Sequence, residues 1–145
     1  MPNLTIHLDV DSVLADFLSG CHRLFESLGY DTSGADPVVL WDFHEQYSPP
    51  VGREDFDRII SEAGSEFWAA LPLTSYCEDI LIAVDRLAIE AAELGVEVQV
   101  GISSVVRTEA AKEGRDEWLK ALNFNFDFIH YHVRPEDKSI GINDG

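Results

Sequence analysis

Two carboxylates lie one residue apart near the start of the chain, in the sequence Asp9-Val10-Asp11. Residues 4–8 alternate around β-branched and leucine side chains, a pattern typical of a buried strand. Ligands of open α/β sheets bind beyond the carboxyl ends of the strands, so this position favours a ligand site. The alternative is a pair of helix-capping or solvated turn residues. Two residues separated by one position share a face of a strand, and Ser12 is the predicted N-cap at which the chain bends into the following helix.

Two hydroxyl groups follow a second alternating stretch. Residues 96–102 are predicted as a strand that runs out into Ser103 and Ser104, and a helix is predicted over residues 107–122. Hydroxyls at the amino end of a helix suit an anion, because unpaired backbone N–H groups point the same way. Simple N-capping is the alternative interpretation of both serines.

The charge balance limits the classes of partner. The chain has 27 Asp and Glu residues against 10 Lys and Arg, a formal net charge of −17. Such a surface repels nucleic-acid polymers and anionic membranes, so we expect neither as a partner. A small phosphorylated ligand would need a divalent cation or local basic residues. A homodimer is left open.

The composition also bears on size and compartment. A length of 145 residues fits one domain with a small insertion. Cys21 and Cys77 are too few for a disulfide framework and have apolar helical neighbours, which predicts reduced core residues. The start of the chain lacks the pattern of a signal peptide, and no apolar run reaches membrane-spanning length. We therefore expect a cytoplasmic protein.

The elements that must position these side chains alternate between strand and helix. Besides the two strands above, a third is predicted over residues 124–133. Helical periodicity is found over residues 13–28, 53–63, 65–71, 75–94 and 107–122. This alternation predicts an α/β fold with a parallel, doubly wound sheet.

An insertion is predicted between the first helix and the rest of the sheet. Residues 31–52 lose periodicity and collect prolines and glycines, but they contain too many aromatic side chains for a disordered linker. We predict a helical cap over residues 31–73, inserted into a core formed by residues 1–30 and 74–145.

The string D-V-D-S-V-L-A-D-F, residues 9–17, resembles the first motif of the haloacid dehalogenase (HAD) superfamily of phosphohydrolases. Within that superfamily it is similar to the 5′(3′)-deoxyribonucleotidase branch, with Ser12 in place of a glycine. The resemblance implies a Rossmann-like core with a cap and Mg²⁺ as cofactor. It also implies that Asp9 is the nucleophile and a metal ligand, and that Asp11 is the general acid/base and a metal ligand through its backbone carbonyl.

The same resemblance implies the phosphate-binding residues. Ser103 and Ser104 match the T-S of a T-S-P string, and Val105 replaces the proline. Arg115 takes the place of the basic residue before a tryptophan, in R-D-E-W where the branch has K-x-x-W. Lys112, one helical turn earlier, is a rival for that role. Arg107 is a further candidate for contact with phosphate from the loop.

The remaining expectations concern the metal and the substrate. The last acidic motif of the family corresponds to Asp144 in compressed form, or the chain ends short of it. Phe67 and Trp68 match an aromatic pair in the phrase F-W-x-x-L-P, and their rings could stack on a nucleobase or fill the core of the cap.

The predicted function is Mg²⁺-dependent hydrolysis of (deoxy)ribonucleoside 5′-monophosphates through an aspartyl-phosphate. One alternative is a nucleotidase-like binding or interaction protein without turnover, and another is a HAD phosphatase for a different small metabolite. A transition-metal site of His7, His130 and His132 is a minor competing hypothesis.

Overall fold

The chain is described by a computed structural model, which covers residues 2–36, 38 and 40–134. It has an α/β architecture with three strands and five α-helices in the described part. These are β1 (Asn3–Leu8), α1 (Phe17–Ser27), α2 (Arg53–Ala63), α3 (Ser65–Ala69), α4 (Cys77–Glu93), β2 (Glu97–Val105), α5 (Glu109–Ala121) and β3 (Phe128–His132). Two 3₁₀ turns, Ser33–Ala35 and Phe43–Gln46, lie between α1 and α2.

The strands form one parallel sheet in the order β1-β2-β3. Leu8 pairs with Ile102 in the register of β1 and β2, and Ile102 pairs with Ile129 in that of β2 and β3. The residues that follow β1 therefore lie beside the last residues of β2. The prediction of a parallel α/β sheet is confirmed.

One face of the sheet packs against α4 and α5. Ile102 is fully buried there, in a cluster that includes Trp118 and Leu119 of α5 and Cys77 of α4. The opposite face carries the alternate residues, among them His7 on β1. We call the first of these the helix face of the sheet and the second the open face.

A second core, which we call the cap cluster, lies among α1, the 3₁₀ turns and α2. It consists of Cys21, Phe25, Ala35, Tyr47, Val51, Phe56 and Ile60. Phe17, Phe67 and Trp68 pack against both this cluster and the sheet core. The boundaries of the cap, residues 31–73, stay a prediction.

The first helix starts later than predicted, and Ser12 is not its N-cap. Ser12 has a φ of +66°, in the left-handed region, and its N–H donates to the carbonyl of Ala15 at 2.7 Å. The N–H groups of residues 13–15 converge on the carbonyl of Val10, so this segment forms a compact turn. Asp16 caps α1 instead, because its carboxylate accepts from the N–H of Ser19 at 3.0 Å.

Two further boundaries differ from the prediction. The strand β2 continues through both serines to Val105, and Thr108 is the N-cap of α5. The prediction that Ser103 and Ser104 lie at the amino end of that helix is therefore wrong. The last strand is shorter than predicted because Asp127 pairs with the backbone of Val100 before β3 begins.

The two cysteines and the lengths of the helices bear on the predictions from composition. Cys21 and Cys77 are free and buried, as predicted. Within the part of the chain that the structure describes, no helix combines the length and apolar character needed to cross a bilayer.

Candidate active site

Asp9 and Asp11 lie immediately beyond the carboxyl end of β1. Asp9 is exposed, and its Oδ1 accepts a hydrogen bond from the N–H of Val10 at 2.8 Å. Asp11 is partly buried, with 35% of its side chain exposed. The compact turn after Val10 keeps both carboxylates at the strand end, so the structure places them where the sequence predicts.

Arg115 reaches Asp11 from α5, 104 residues further along the chain. Its Nη2 donates to Asp11 Oδ1 at 2.7 Å, although only 1% of the arginine side chain is exposed. The buried Nε and Nη1 atoms have no hydrogen-bond partner among the described residues. Leaving a buried donor without a partner costs about 1–3 kcal/mol, more when the group is charged, so such a group calls for an explanation.

A close approach of two helices holds Arg115 in place. A Cβ atom at Gly114 would overlap the carbonyl oxygen of Ser65, so only glycine lets α5 pack so tightly against α3. The guanidinium carbon of Arg115 then lies 5.4 Å from the centre of the Trp68 ring. The arginine is thus positioned between the strand-end acids and the aromatic residues of α3.

The other two basic candidates lie elsewhere. Lys112 is exposed, and its Nζ is 6.0 Å from the centre of the Tyr131 ring. Burial raises the pKa of Tyr131, and its hydrogen bond to Asp116 raises it further. Arg107 is exposed between β2 and α5. Of the three candidates, Arg115 is the one that forms an ion pair with Asp11.

The two serines are both buried, but they occupy opposite faces of the sheet. Ser103 is on the open face, 4% exposed, and its Oγ is 3.1 Å from His7 Nδ1. Ser104 is on the helix face, 1% exposed, and its Oγ has no hydrogen-bond partner among the described residues. Adjacent strand residues point in opposite directions, so the two hydroxyls lie on opposite sides of the sheet.

Phe67 and Trp68 contact other aromatic side chains of the protein. The Trp68 ring stacks on Phe17 with centroids 5.7 Å apart, and Phe67 meets Phe17 edge-on at 6.0 Å. Both are partly buried. The structure therefore brings Trp68 beside Arg115 and makes both rings part of the internal packing.

The described residues include Asp9 and Asp11 but not the third predicted metal ligand. Asp144 lies outside the described residues. Within those residues, no group of three or more His, Cys, Asp or Glu side chains is arranged to hold a metal ion, which also gives no support to the site of His7, His130 and His132. Burial, assisted by the neighbouring His130 and His132, lowers the pKa of His7.

The contact between His7 and Ser103 was not anticipated from the sequence. The signal available in the sequence is the two-residue period of strands, which puts His7 on the face of β1 opposite to Ile6 and Leu8. The register of the parallel strands, which decides that Ser103 lies beside it, is set only in the folded chain. In comparisons with known proteins, no family model and no curated protein sequence matches the chain significantly.

Proposed function

We propose that this chain is a Mg²⁺-dependent phosphatase with a HAD-type core and a cap, acting on (deoxy)ribonucleoside 5′-monophosphates. Its support is the resemblance of residues 9–17 to the first HAD motif together with their place at the end of a parallel strand. Crevices at such strand ends are where α/β proteins bind ligands.

The observation that carries the proposal is the buried guanidinium of Arg115. It contacts Asp11 and retains two buried nitrogens, Nε and Nη1, without a hydrogen-bond partner among the described residues. Each of these N–H groups can donate a charge-assisted hydrogen bond to a phosphoryl oxygen. Binding a phosphate here would convert an unfavourable buried group into a favourable contact.

The proposed reaction has two displacements at phosphorus. A carboxylate oxygen of Asp9 attacks, an oxygen–phosphorus bond forms, and the bond to the ester oxygen breaks while Asp11 gives that oxygen a proton. Water then attacks the phosphorus of the aspartyl-phosphate while Asp11 takes up a proton of the water; the bond between Asp9 and phosphorus breaks, which releases inorganic phosphate and restores the Asp9 carboxylate. The positive charge of Arg115 stabilises the charge on the phosphoryl oxygens.

The residues present fit a magnesium ion that is shared with a substrate. Mg²⁺ is commonly held by one or two carboxylates together with substrate phosphates and water. Asp9 offers a carboxylate and Asp11 a backbone carbonyl at one strand end, and these are the groups that would hold the ion. When bound, it would neutralise charge that develops on the phosphoryl group.

The nucleotide preference rests on the aromatic residues beside Arg115. The Trp68 ring lies 5.4 Å from the guanidinium, so a molecule whose phosphate reaches Arg115 would extend along the cap residues. The resemblance of residues 67–72 to the nucleotidase phrase favours a nucleoside as that organic part.

The test is phosphate release from deoxyuridine and thymidine monophosphates with Mg²⁺. We expect turnover by the unmodified protein and a loss of at least about 1,000-fold in Asp9→Asn, because the nucleophile is removed. Asp85→Asn is the matched control, since Asp85 is an exposed acid of α4. Absence of turnover by the unmodified protein with any divalent metal would refute the proposal. Activity confined to sugar or amino-acid phosphates would favour another HAD phosphatase.

A second candidate is a nucleotide-binding protein without turnover. It is favoured by the engagement of Asp11 Oδ1 with Arg115, since this oxygen must be released before it can transfer a proton. Titration calorimetry with thymidine monophosphate separates the two candidates. Binding without phosphate release would support this second function.

A further inference from the structure

We propose that His7 is a positioning residue that orients the Ser103 hydroxyl so that it donates a hydrogen bond to a bound phosphoryl group. This inference rests on the proposed function, because it assigns Ser103 to the phosphate site. Neither the resemblance to the HAD first motif nor the chemistry of the two aspartates assigns a role to position 7.

The contact between the two side chains follows from the strand register. His7 pairs with Gly101 in the parallel ladder, and Ser103 is two residues further on the same face of β2. The imidazole therefore leans along the strand direction toward the serine, and His7 Nδ1 comes within 3.1 Å of Ser103 Oγ. Ser103 follows Ile102, the register partner of Leu8, so it lies beside the point where the chain leaves β1 toward Asp9.

The imidazole ring is held by an aromatic neighbour. The centroid of the Phe128 ring is 5.0 Å from that of His7, with the two planes tilted by 57°. Phe128 can take this position because Gly101 has no side chain, and a Cβ there would overlap the Phe128 ring. The His130 ring packs against Phe128 as well, with the two ring centroids 4.7 Å apart. The packing restricts rotation of His7 and keeps Nδ1 directed at the hydroxyl.

The direction of the hydrogen bond matters for phosphate binding. A serine hydroxyl has one hydrogen and two acceptor lone pairs. If it gives that hydrogen to His7, it presents only lone pairs to a phosphoryl oxygen, which repels them. If His7 Nδ1 carries a hydrogen and donates to Oγ, the serine hydrogen is free to point at the phosphate. Ser103 is 4% exposed, so water has little access to take over the role of His7.

The test compares two replacements of His7 in the full chain. His7→Leu removes the donor, whereas His7→Asn puts an amide N–H near the position of Nδ1. A neutral hydrogen bond is worth about 0.5–1.5 kcal/mol, so we expect His7→Leu to weaken inorganic phosphate binding and raise KM by about 3- to 10-fold, with kcat less affected. His7→Asn should remain within about 2-fold of the unmodified protein, a difference of about 0.4 kcal/mol.

Two control variants test whether the effect of His7→Leu depends on the Ser103 hydroxyl. In a Ser103→Ala background, His7→Leu should cause no further loss, because the hydroxyl it orients is gone. His130→Leu removes an imidazole of the same sheet face that makes no hydrogen bond to Ser103 among the described residues, so it should weaken phosphate binding by less than about 2-fold. Thermal melting of every variant shows whether it remains folded at the assay temperature.

Three results would overturn the inference. They are unchanged phosphate binding in folded His7→Leu, an equal loss in the Ser103→Ala background, and no rescue by folded His7→Asn. If the unmodified protein neither binds phosphate nor hydrolyses nucleotides, the proposed function fails and takes this inference with it. An active unmodified protein with an unaffected His7→Leu variant refutes the role of His7 alone.

Discussion

The strand-end site and the cap cluster satisfy their polar groups in opposite ways. In the cap, His22 Nδ1 bonds the Tyr47 hydroxyl at 2.7 Å, and the Thr32 hydroxyl donates to Glu26 at 2.6 Å. At the strand ends, Arg115 and Ser104 are buried with polar atoms that have no hydrogen-bond partner among the described residues. Among the described residues of the cap, Nε2 of His44 is a buried nitrogen without a hydrogen-bond partner, and it lies 3.8 Å from Asp42 Oδ1.

We interpret this difference as one between a region that stabilises the fold and a site that the proposed ligand would complete. Paired polar groups and stacked rings contribute to the free energy of folding without any ligand. Buried donors without partners do the reverse, and a bound ligand is one explanation for such groups. We therefore expect substitutions in the cap to affect stability first, and substitutions at the strand ends to affect binding and turnover first.

The largest effect on stability is expected from Phe25→Ala. Phe25 is fully buried and stacks on Phe56 with centroids 5.7 Å apart, so its removal leaves a cavity in the cap cluster. Truncations of this kind cost about 3–5 kcal/mol. Urea denaturation measures the loss. Leu28→Ala is the control, since that side chain is 55% exposed and its truncation should cost less than about 0.5 kcal/mol. Equal losses in both variants would contradict the stabilising role of the cluster.

Arg115→Met should weaken phosphate binding and leave stability nearly unchanged, the reverse of the effect expected for Phe25→Ala. Loss of charge-assisted hydrogen bonds, each worth about 1.5–3 kcal/mol, should weaken phosphate binding by about 10- to 100-fold. The free energy of unfolding should change by less than about 1 kcal/mol, because the variant removes unpaired buried donors while Asp11 keeps access to water. Calorimetry and urea denaturation measure the two quantities. Lys112→Met, which removes an exposed cation of the same helix, should bind phosphate nearly as the unmodified protein does.

Ser12→Gly tests the turn that links the two regions. A left-handed conformation costs an L-residue about 1–2 kcal/mol, and glycine avoids this at the expense of a more flexible unfolded chain. We expect a net stabilisation of up to about 1 kcal/mol, or a rise of about 2–4 °C in Tm. Ser75→Gly, where the serine has no positive φ, should lower or leave unchanged the Tm. A decrease in Tm for Ser12→Gly would show that the serine side chain stabilises the turn.

The smallest effect concerns pH and His22 in the cap. Burial lowers the pKa of His22, although Glu26, Asp16 and Asp36 oppose this. The unfolded chain therefore binds a proton below about pH 6.5 more readily than the folded chain, so stability falls as the pH decreases through that value. The free energy of unfolding between pH 7.5 and about 5.5 should depend less on pH in His22→Gln than in the unmodified protein. Identical pH profiles would contradict this assignment.

The sequence determined the order and type of the helices and strands, and the position of the two carboxylates of the candidate site. Periodicity predicted α2 over Arg53–Ala63 and the alternation of strands and helices, because burial on one side of an element requires a matching apolar repeat. The carboxylates after β1 were recognisable for the same local reason. A strand that ends in acids must present them at an edge of the sheet.

Only the tertiary structure decided which distant residues meet those acids. Arg115 and Lys112 lie one helical turn apart with the same charge, yet the packing of α5 against α3 buries Arg115 at Asp11 and leaves Lys112 exposed. The face taken by each serine depended on where β2 ends and how it pairs with β1. Local patterns do not encode register or helix approach, because both are set by contacts between residues far apart in the chain.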